Sequence, residues 1–199
     1  MSQPKFAPFL YTARLTLRLY SCSEDDAFTA ELARMPEEKL NSLVNRNILH
    51  RSLLKGHKAP GPAGYIIYLG SATGPKVGLI SISQRKEGFP PDIGWAVVPD
   101  QRRKGFATEA ATECLRFWQE ELGLQEICAL LSRENVASQG IAERIGLVNK
   151  GTIRLEVPSG SSEEILAYGN KTAREFKGEV IKYFGEPEED EDEKVEKEN

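Results

Sequence analysis

Asp92-Ile93-Gly94-Trp95-Ala96-Val97-Val98-Pro99, running on through Asp100-Gln101-Arg102-Arg103-Lys104-Gly105-Phe106-Ala107-Thr108, decides the reading of this chain. The first seven residues are rich in β-branched and aromatic side chains and predict a strand. Pro99 ends it, because proline has no amide to give a sheet ladder. Beyond the basic run, apolar side chains recur at Ala107, Ala110, Ala111, Cys114, Leu115, Trp118 and Leu122, the i, i+3, i+4 spacing of one helix face, with Gly123 as the stop. The stretch therefore predicts a strand, a tight basic loop and a long helix.

The first amides of such a helix have no partner within it and carry the positive end of its dipole. Gly105 and Ala107 remove bulk where a diphosphate would approach the backbone, and Arg102, Arg103 and Lys104 surround it with charge. This describes an anion cradle, although a solvated basic turn with a purely geometric glycine accounts for the stretch alone equally well. Neither G-x-G-x-x-G after a strand nor G-x-x-x-x-G-K-[ST] occurs, so neither a dinucleotide nor a nucleoside-triphosphate site is indicated.

Working outward, Leu124 to Ser132 contains the apolar run Ile127-Cys128-Ala129-Leu130-Leu131, the pattern of a strand buried on both faces. It is expected to pair parallel to the Asp92 strand. A right-handed crossover then sets the basic loop at the carboxyl end of the first strand, where open α/β sheets bind ligands. A shorter helix follows from about Arg133, with Ala137, Ile141 and Ile145 on one face, Gly146 closing it and Asn135 at its start, where it reads equally as an N-cap. Gly151 to Val157 and Glu163 to Asn170 form a closing hairpin.

Before the central stretch, Tyr11 to Leu19 alternates into one strand with Ala13, Leu15, Leu17 and Leu19 on its core face. Ser23 and Asp26 suggest a capping box for a helix to about Met35. A second helix is expected from about Glu37 to Lys55, then a loop from Gly56 to Gly64. Tyr65 to Gly70 and Lys76 to Gln84 read as an antiparallel hairpin.

Composition narrows the class. With 199 residues and 40% hydrophobic content, one domain with one substantial core is expected over residues 1–185. Glu186 to Asn199 holds nine acidic residues and two lysines, a net −7; as the whole chain carries −4, the rest carries +3. This tail, 186–199, is expected to be disordered. Cys22, Cys114 and Cys128 are an odd number and widely spaced, as reduced thiols would be. The start of the chain lacks a signal-peptide pattern and no run of 18 apolar residues occurs, so a cytoplasmic protein with no membrane or nucleic-acid partner is expected. His50 and His57 are the only histidines, and no metal-ligand spacing appears; no metal is expected.

Four landmarks stand in order: Thr12-Ala13-Arg14-Leu15-Thr16-Leu17-Arg18, Asp92-Ile93-Gly94-Trp95, Arg102 to Ala110, and Asn135-Val136-Ala137-Ser138 leading to Ile145-Gly146-Leu147. Together they resemble the GNAT superfamily of N-acetyltransferases. The T-x-R-L-x-L-R strand and the I-G-W look like its RimJ/RimL branch, which acetylates protein amino termini and other amines. The resemblance implies a mixed α/β GNAT fold: a twisted, mostly antiparallel sheet, flanking helices and a parallel β-α-β cofactor unit. It further implies acetyl-CoA as cosubstrate and an amine acceptor, in a monomer or homodimer.

By the same resemblance, the amides of Arg102, Arg103, Lys104, Gly105, Phe106, Ala107 and Thr108 hold the CoA pyrophosphate. The strand edge at Val97 and Val98 holds the pantetheine and offers an oxyanion donor. Asn135 and Ser138 match the family's N-x-x-S; Asn135 would bond the pantetheine arm and Ser138 steady or protonate the departing thiolate. Asp92 and Glu156 are the expected general bases. Departures are Ala107 for a second glycine, Leu147 for a phenylalanine, and no tyrosine after Ile145 to serve as acid. The reading is acetyl transfer to an amine, most simply a protein amino terminus. Its rivals are a small-molecule amine acetyltransferase, for a polyamine or antibiotic, and a CoA-binding protein of the same fold without turnover.

Overall fold

The computed structural model describes residues 6–34, 64–83, 85, 88–156 and 161–182. The helix expected from 37 to 55, the loop after it and the acidic tail lie outside the described residues.

Among the described residues nine strands form one sheet, in the order β1-β2-β3-β4-β5-β6-β8-β7-β9. They are β1 (Phe9–Tyr11), β2 (Leu15–Leu19), β3 (Gly64–Leu69), β4 (Lys76–Ser83), β5 (Asp92–Val97), β6 (Cys128–Leu131), β7 (Val148–Glu156), β8 (Ser162–Gly169) and β9 (Phe176–Lys182). The described α-helices are α1 (Cys22–Ala33), α2 (Phe106–Glu120) and α3 (Val136–Arg144). Neighbouring strands are antiparallel except β5 with β6 and β7 with β9.

The expected β-α-β unit is present, and α2 supplies the main core. Its buried Phe106, Ala110, Ala111, Cys114, Leu115, Phe117 and Trp118 meet Leu15, Leu17, Ile80, Ile82 and Ile93 from the sheet. Fully burying one such side chain stabilises by roughly 1.5–3 kcal/mol, so this amphipathic face, more than helix propensity, holds α2 in place. On the opposite face Phe28 of α1 packs on Tyr20, Ile66 and Tyr68. Strand β6 is covered on both sides as its continuous apolar run requires: Ile127, Ala129 and Leu131 join the α2 cluster, while Cys128 joins Ile153, Ile165 and Phe176.

Several local expectations are corrected. The single strand from Tyr11 to Leu19 is a hairpin, β1 and β2, folded at Thr12-Ala13-Arg14 with Ala13 exposed. The Thr12 amide bonds the Leu15 carbonyl at 3.0 Å, closing the turn. Helix α1 starts at Cys22 after Ser21, which makes no side-chain cap, in place of the Ser23 capping box. Instead the Ser21 amide donates to Oδ2 of buried Asp25 at 2.8 Å. Strand β6 begins at Cys128 and not Leu124, since the Leu124 amide is still bonded to Trp118 of α2. Strand β7 begins three residues early, at Val148, and carries a bulge. There Gly151 has φ 113°, and a Cβ would lie 2.1 Å from the Phe176 carbonyl oxygen. Strand β9 was not anticipated: Gly178, at φ 73°, breaks its alternation so that Phe176 and Ile181 are both buried despite opposite parity.

Candidate active site

Two features of the backbone build the site. The parallel pair β5–β6 has one registered partnership, Asp92 with Cys128, after which the two strands part. On its other side β5 stays paired with β4 through Gly78 and Val97. The Val98 amide bonds the Val77 carbonyl at 3.0 Å. Antiparallel ladders alternate bonded and non-bonded pairs, so the amides of Val97 and Trp95 turn away from β4 and into the opening. An extended molecule with acceptors could lie there as a strand lies against an edge.

The second feature is the start of α2. Gly105, its N-cap, has φ 82°, a left-handed conformation, and caps no amide with a side chain. The first ladder bond runs from the Glu109 amide to the Gly105 carbonyl at 3.0 Å. The amides of Phe106, Ala107 and Thr108 thus precede the ladder and have no acceptor in it, at the positive end of the helix. A Cβ on Gly105 would meet only Arg14 Nη2, at 3.4 Å, so the protein itself leaves the space over this residue open.

These features meet in one cavity of about 480 Å³, lined by β5, the basic loop, the first turn of α2 and the pocket-facing side of α3. That volume lies in the range of roughly 300–1,000 Å³ typical of small-molecule sites. Of the expected residues, Val97, Arg102, Arg103, Gly105, Phe106, Ala107, Thr108, Asn135 and Ser138 line it. Val98 does not; its side chain packs against the main core and its amide belongs to the sheet. Lys104 does not either: its Nζ donates to Gln101 Oε1 at 2.8 Å. A third lining guanidinium comes instead from Arg144, at the end of α3.

Asn135 is the N-cap of α3, its Oδ1 accepting from the Ser138 amide at 3.1 Å. Ser138 Oγ accepts from Trp95 Nε1 at 3.2 Å, a bond that crosses from β5 to α3. With its oxygen engaged by the indole, the hydroxyl proton is left to donate elsewhere. Trp95, Ala137, Ile141 and Arg144 are lining residues that sequence reasoning missed. Trp95 lies two residues before Val97, so period-2 alternation could have found it. Ala137 and Ile141 do share a face, but it lines the cavity, while Ala142 is the residue of α3 buried in the core.

The two expected bases lie elsewhere. Asp92 sits at the vertex where β5 and β6 part, 6% exposed, with Oδ1 and Oδ2 accepting from Arg85 Nε and Nη2 at 2.9 and 3.0 Å. Burial, and after it the charge of Asp92, pushes the neighbouring Cys128 thiol well above its ordinary range. Glu156 is exposed at the end of β7, opposite Ser162 of β8. Neither lines the cavity. Among the described residues, no group of three or more His, Cys, Asp or Glu side chains could hold a metal ion. No described helix is long and apolar enough to cross a membrane.

A family model described as an acetyltransferase (GNAT) domain matches residues 14–148, which include both the splayed strands and the amide cradle. The chain belongs to the GNAT acetyltransferase family. The uncharacterized N-acetyltransferase YnaD of Bacillus subtilis is 33% identical over 70 residues, 35% of this chain and 41% of that protein. The chain therefore spans less than half the length of that relative. The FsC-acetyl coenzyme A-N(2)-transacetylase of Aspergillus fumigatus is 28% identical over 175 residues, covering 80% of this chain and 74% of that one. A candidate ribosomal-protein-serine acetyltransferase from Vibrio cholerae shares the GNAT fold, with TM-score 0.62 and 19% identity over 84% of this chain and 98% of its own.

Proposed function

We propose that this GNAT chain transfers the acetyl group of acetyl-CoA to an amine, and that the amine is the amino terminus of a protein. The observation that carries the first half is the single cavity joining ladder-free α2 amides, left-handed Gly105 and the outward edge of β5. Its donors suit a ligand with a diphosphate at one end and an extended amide-bearing arm. Acetyl-CoA has both, and supplies the activated acyl group as a thioester. In this reading the amides from Arg103 to Thr108 hold the diphosphate, the Arg102 amide being already bonded to the Pro99 carbonyl at 3.2 Å; the Val97 amide polarises the acetyl carbonyl, and Asn135 bonds the arm. The Ser138 hydroxyl, its oxygen held by Trp95, donates to the leaving sulfur.

The choice of acceptor rests on proton bookkeeping and on the RimJ/RimL-like motifs. At pH 7 a free α-amino group of pKa ~7.8 is neutral in roughly one molecule in seven, a lysine of pKa ~10.4 in roughly one in 2,500. Asp92 spends both carboxylate oxygens on Arg85 and Glu156 lies off the cavity, so this site suits an amine that needs little help. Asp92, at the strand vertex, remains the better candidate for accepting the remaining proton, through water, with Glu156 second. The similarity to the Aspergillus transacetylase, which covers four-fifths of the chain, favours a second reading, a small-molecule amine acceptor. Incubation with acetyl-CoA against a peptide-terminus library and a panel of small amines, read by mass spectrometry, separates the two. Acetylation confined to small amines would overturn the peptide reading, and failure of CoA to bind in calorimetry would overturn both.

A further inference from the structure

The first turn of α2 contains one acidic residue, Glu109. A carboxylate there favours the helix dipole, but it opposes any anion seated on the same amides. The dipole is equivalent to about +0.5 charge at the helix start, so an uncompensated −1 on the same turn would more than cancel what the helix itself offers an anion. The structure answers this from the other end of the chain. Glu109 Oε1 accepts from Thr12 Oγ1 at 2.6 Å and from the Arg14 amide at 3.0 Å. Its Oε2 accepts from Arg14 Nε at 2.7 Å and lies 2.6 Å from Arg14 Nη2. The remaining arm of the guanidinium, Nη1, donates to the Lys104 carbonyl at 3.0 Å, and the group lies 4.8 Å over the Phe106 ring.

We propose that Arg14, carried by the β1–β2 turn, is a positioning residue for cofactor binding: it cancels the charge of Glu109 and pins the cradle on both sides of Gly105. This rests on the acetyl-CoA reading. One guanidinium reaches Lys104, Phe106 and Glu109, which bracket the left-handed N-cap. A lysine could not do so, since only arginine has separate donors in a planar fork. The contacts also turn the carboxylate toward the turn and away from the cavity, which Glu109 does not line.

The charge half of the proposal separates it from simple bracing. Arg14→Ala should weaken CoA at least about tenfold, because it exposes the diphosphate to an unpaired carboxylate on a partly desolvated loop. Glu109→Gln, which keeps the shape and removes the charge, should bind CoA as well as wild type or better. Arg14→Ala combined with Glu109→Gln should recover binding to within about threefold of wild type. Calorimetric titration with CoA, alongside melting temperatures to confirm folding, decides. A double variant as weak as Arg14→Ala, or a Glu109→Gln protein weakened tenfold, would overturn charge cancellation. Should Arg14→Ala fail to fold, the Glu109→Gln result alone still decides. Wild-type protein that binds no CoA would instead defeat the acetyl-CoA reading.

Discussion

Gly105→Ala, measured beside Gly146→Ala, tests whether the cradle is built for a ligand or for the fold. Both glycines are left-handed, Gly105 with φ 82° before α2 and Gly146 with φ 86° after α3. Around each the protein leaves room: a Cβ on Gly146 meets nothing within 4 Å, and one on Gly105 meets only the flexible Arg14 Nη2 at 3.4 Å. Each substitution therefore carries the same intrinsic penalty, about 1–2 kcal/mol for an L-residue in this region. The reduced freedom of the unfolded chain offsets about 0.4–1 kcal/mol of it. A net loss near 1 kcal/mol lowers the melting temperature by about 2–4 °C in a domain of this size. Stability alone should not distinguish the two variants.

Affinity should. Gly105 lines the cavity and Gly146 does not, so only the Gly105 methyl stands where an anion would approach the α2 amides. Calorimetry with CoA should show Gly105→Ala weakened at least about tenfold, a difference of about 1.4 kcal/mol, and Gly146→Ala within twofold of wild type. Gly105→Glu should abolish binding. If Gly105→Ala lost stability in step with Gly146→Ala yet kept its CoA affinity, the left-handed N-cap would serve the fold alone and the cradle argument would be refuted.

Other perturbations test separate parts of the structure. Asp25 is fully buried and accepts from Arg18 Nη2 and Lys76 Nζ, each at 2.7 Å. Asp25→Ala takes that carboxylate from both cations, leaving Arg18 its pair with Glu24 and Lys76 the Glu24 carbonyl, and should cost about 2 kcal/mol in denaturant unfolding, while a loss under about 0.5 kcal/mol would contradict this. Burial raises the carboxyl of Glu109, but the hydrogen bonds from Thr12 and Arg14 and the charge of Arg14 outweigh it and hold the group below its ordinary range. A depressed folded value stabilises above the unfolded pKa of ~4.5 and is lost as pH falls through the folded value, so the melting-temperature advantage of wild type over Glu109→Gln should disappear in acid; an advantage that persisted there would disprove the linkage. Burial pushes the Cys114 and Cys128 thiols well up, so peptide mapping after native iodoacetamide treatment should find neither labelled, and both labelled in denaturant. Trp95→Phe keeps an aromatic side chain but removes the indole N–H that donates to Ser138 Oγ; kcat should fall several-fold with the KM for acetyl-CoA nearly unchanged, and the Ser138→Ala change should add little on top.

How legible each part was follows from how local its physics is. The cradle was readable because its donors are backbone amides of one contiguous stretch: Pro99 must end β5, Gly105 permits the left-handed turn, and the apolar spacing from Ala107 sets the helix. Strand β6 was readable because burial on both faces leaves an unbroken apolar run. The β1–β2 hairpin was not, since Thr12, Ala13 and Arg14 continue the alternation of a strand while their hydrogen bonds go to Leu15 and Glu109. Nor was β9, where Gly178 shifts the register against β7 between Thr152 and Ile153 and spoils the period-2 pattern.

Charged side chains were the hardest to assign, for a physical reason. A backbone amide keeps its donor whatever surrounds it, whereas a carboxylate acts as base, anchor or helix cap according to which cation reaches it. Asp92 stands at the vertex of the splayed strands, but Arg85, seven residues earlier, holds both of its oxygens. Glu109 directly follows the stretch that reads as an anion cradle, and Arg14, 95 residues away, makes its charge compatible with that use. The T-x-R turn that opens the T-x-R-L-x-L-R motif therefore belongs to the cradle as much as the glycine loop does. The same logic bears on the acceptor: with both Asp92 oxygens held by Arg85 and Asp92 off the cavity, the site offers a lysine little help in losing its proton, so an amine that is already partly neutral should turn over far faster than a lysine.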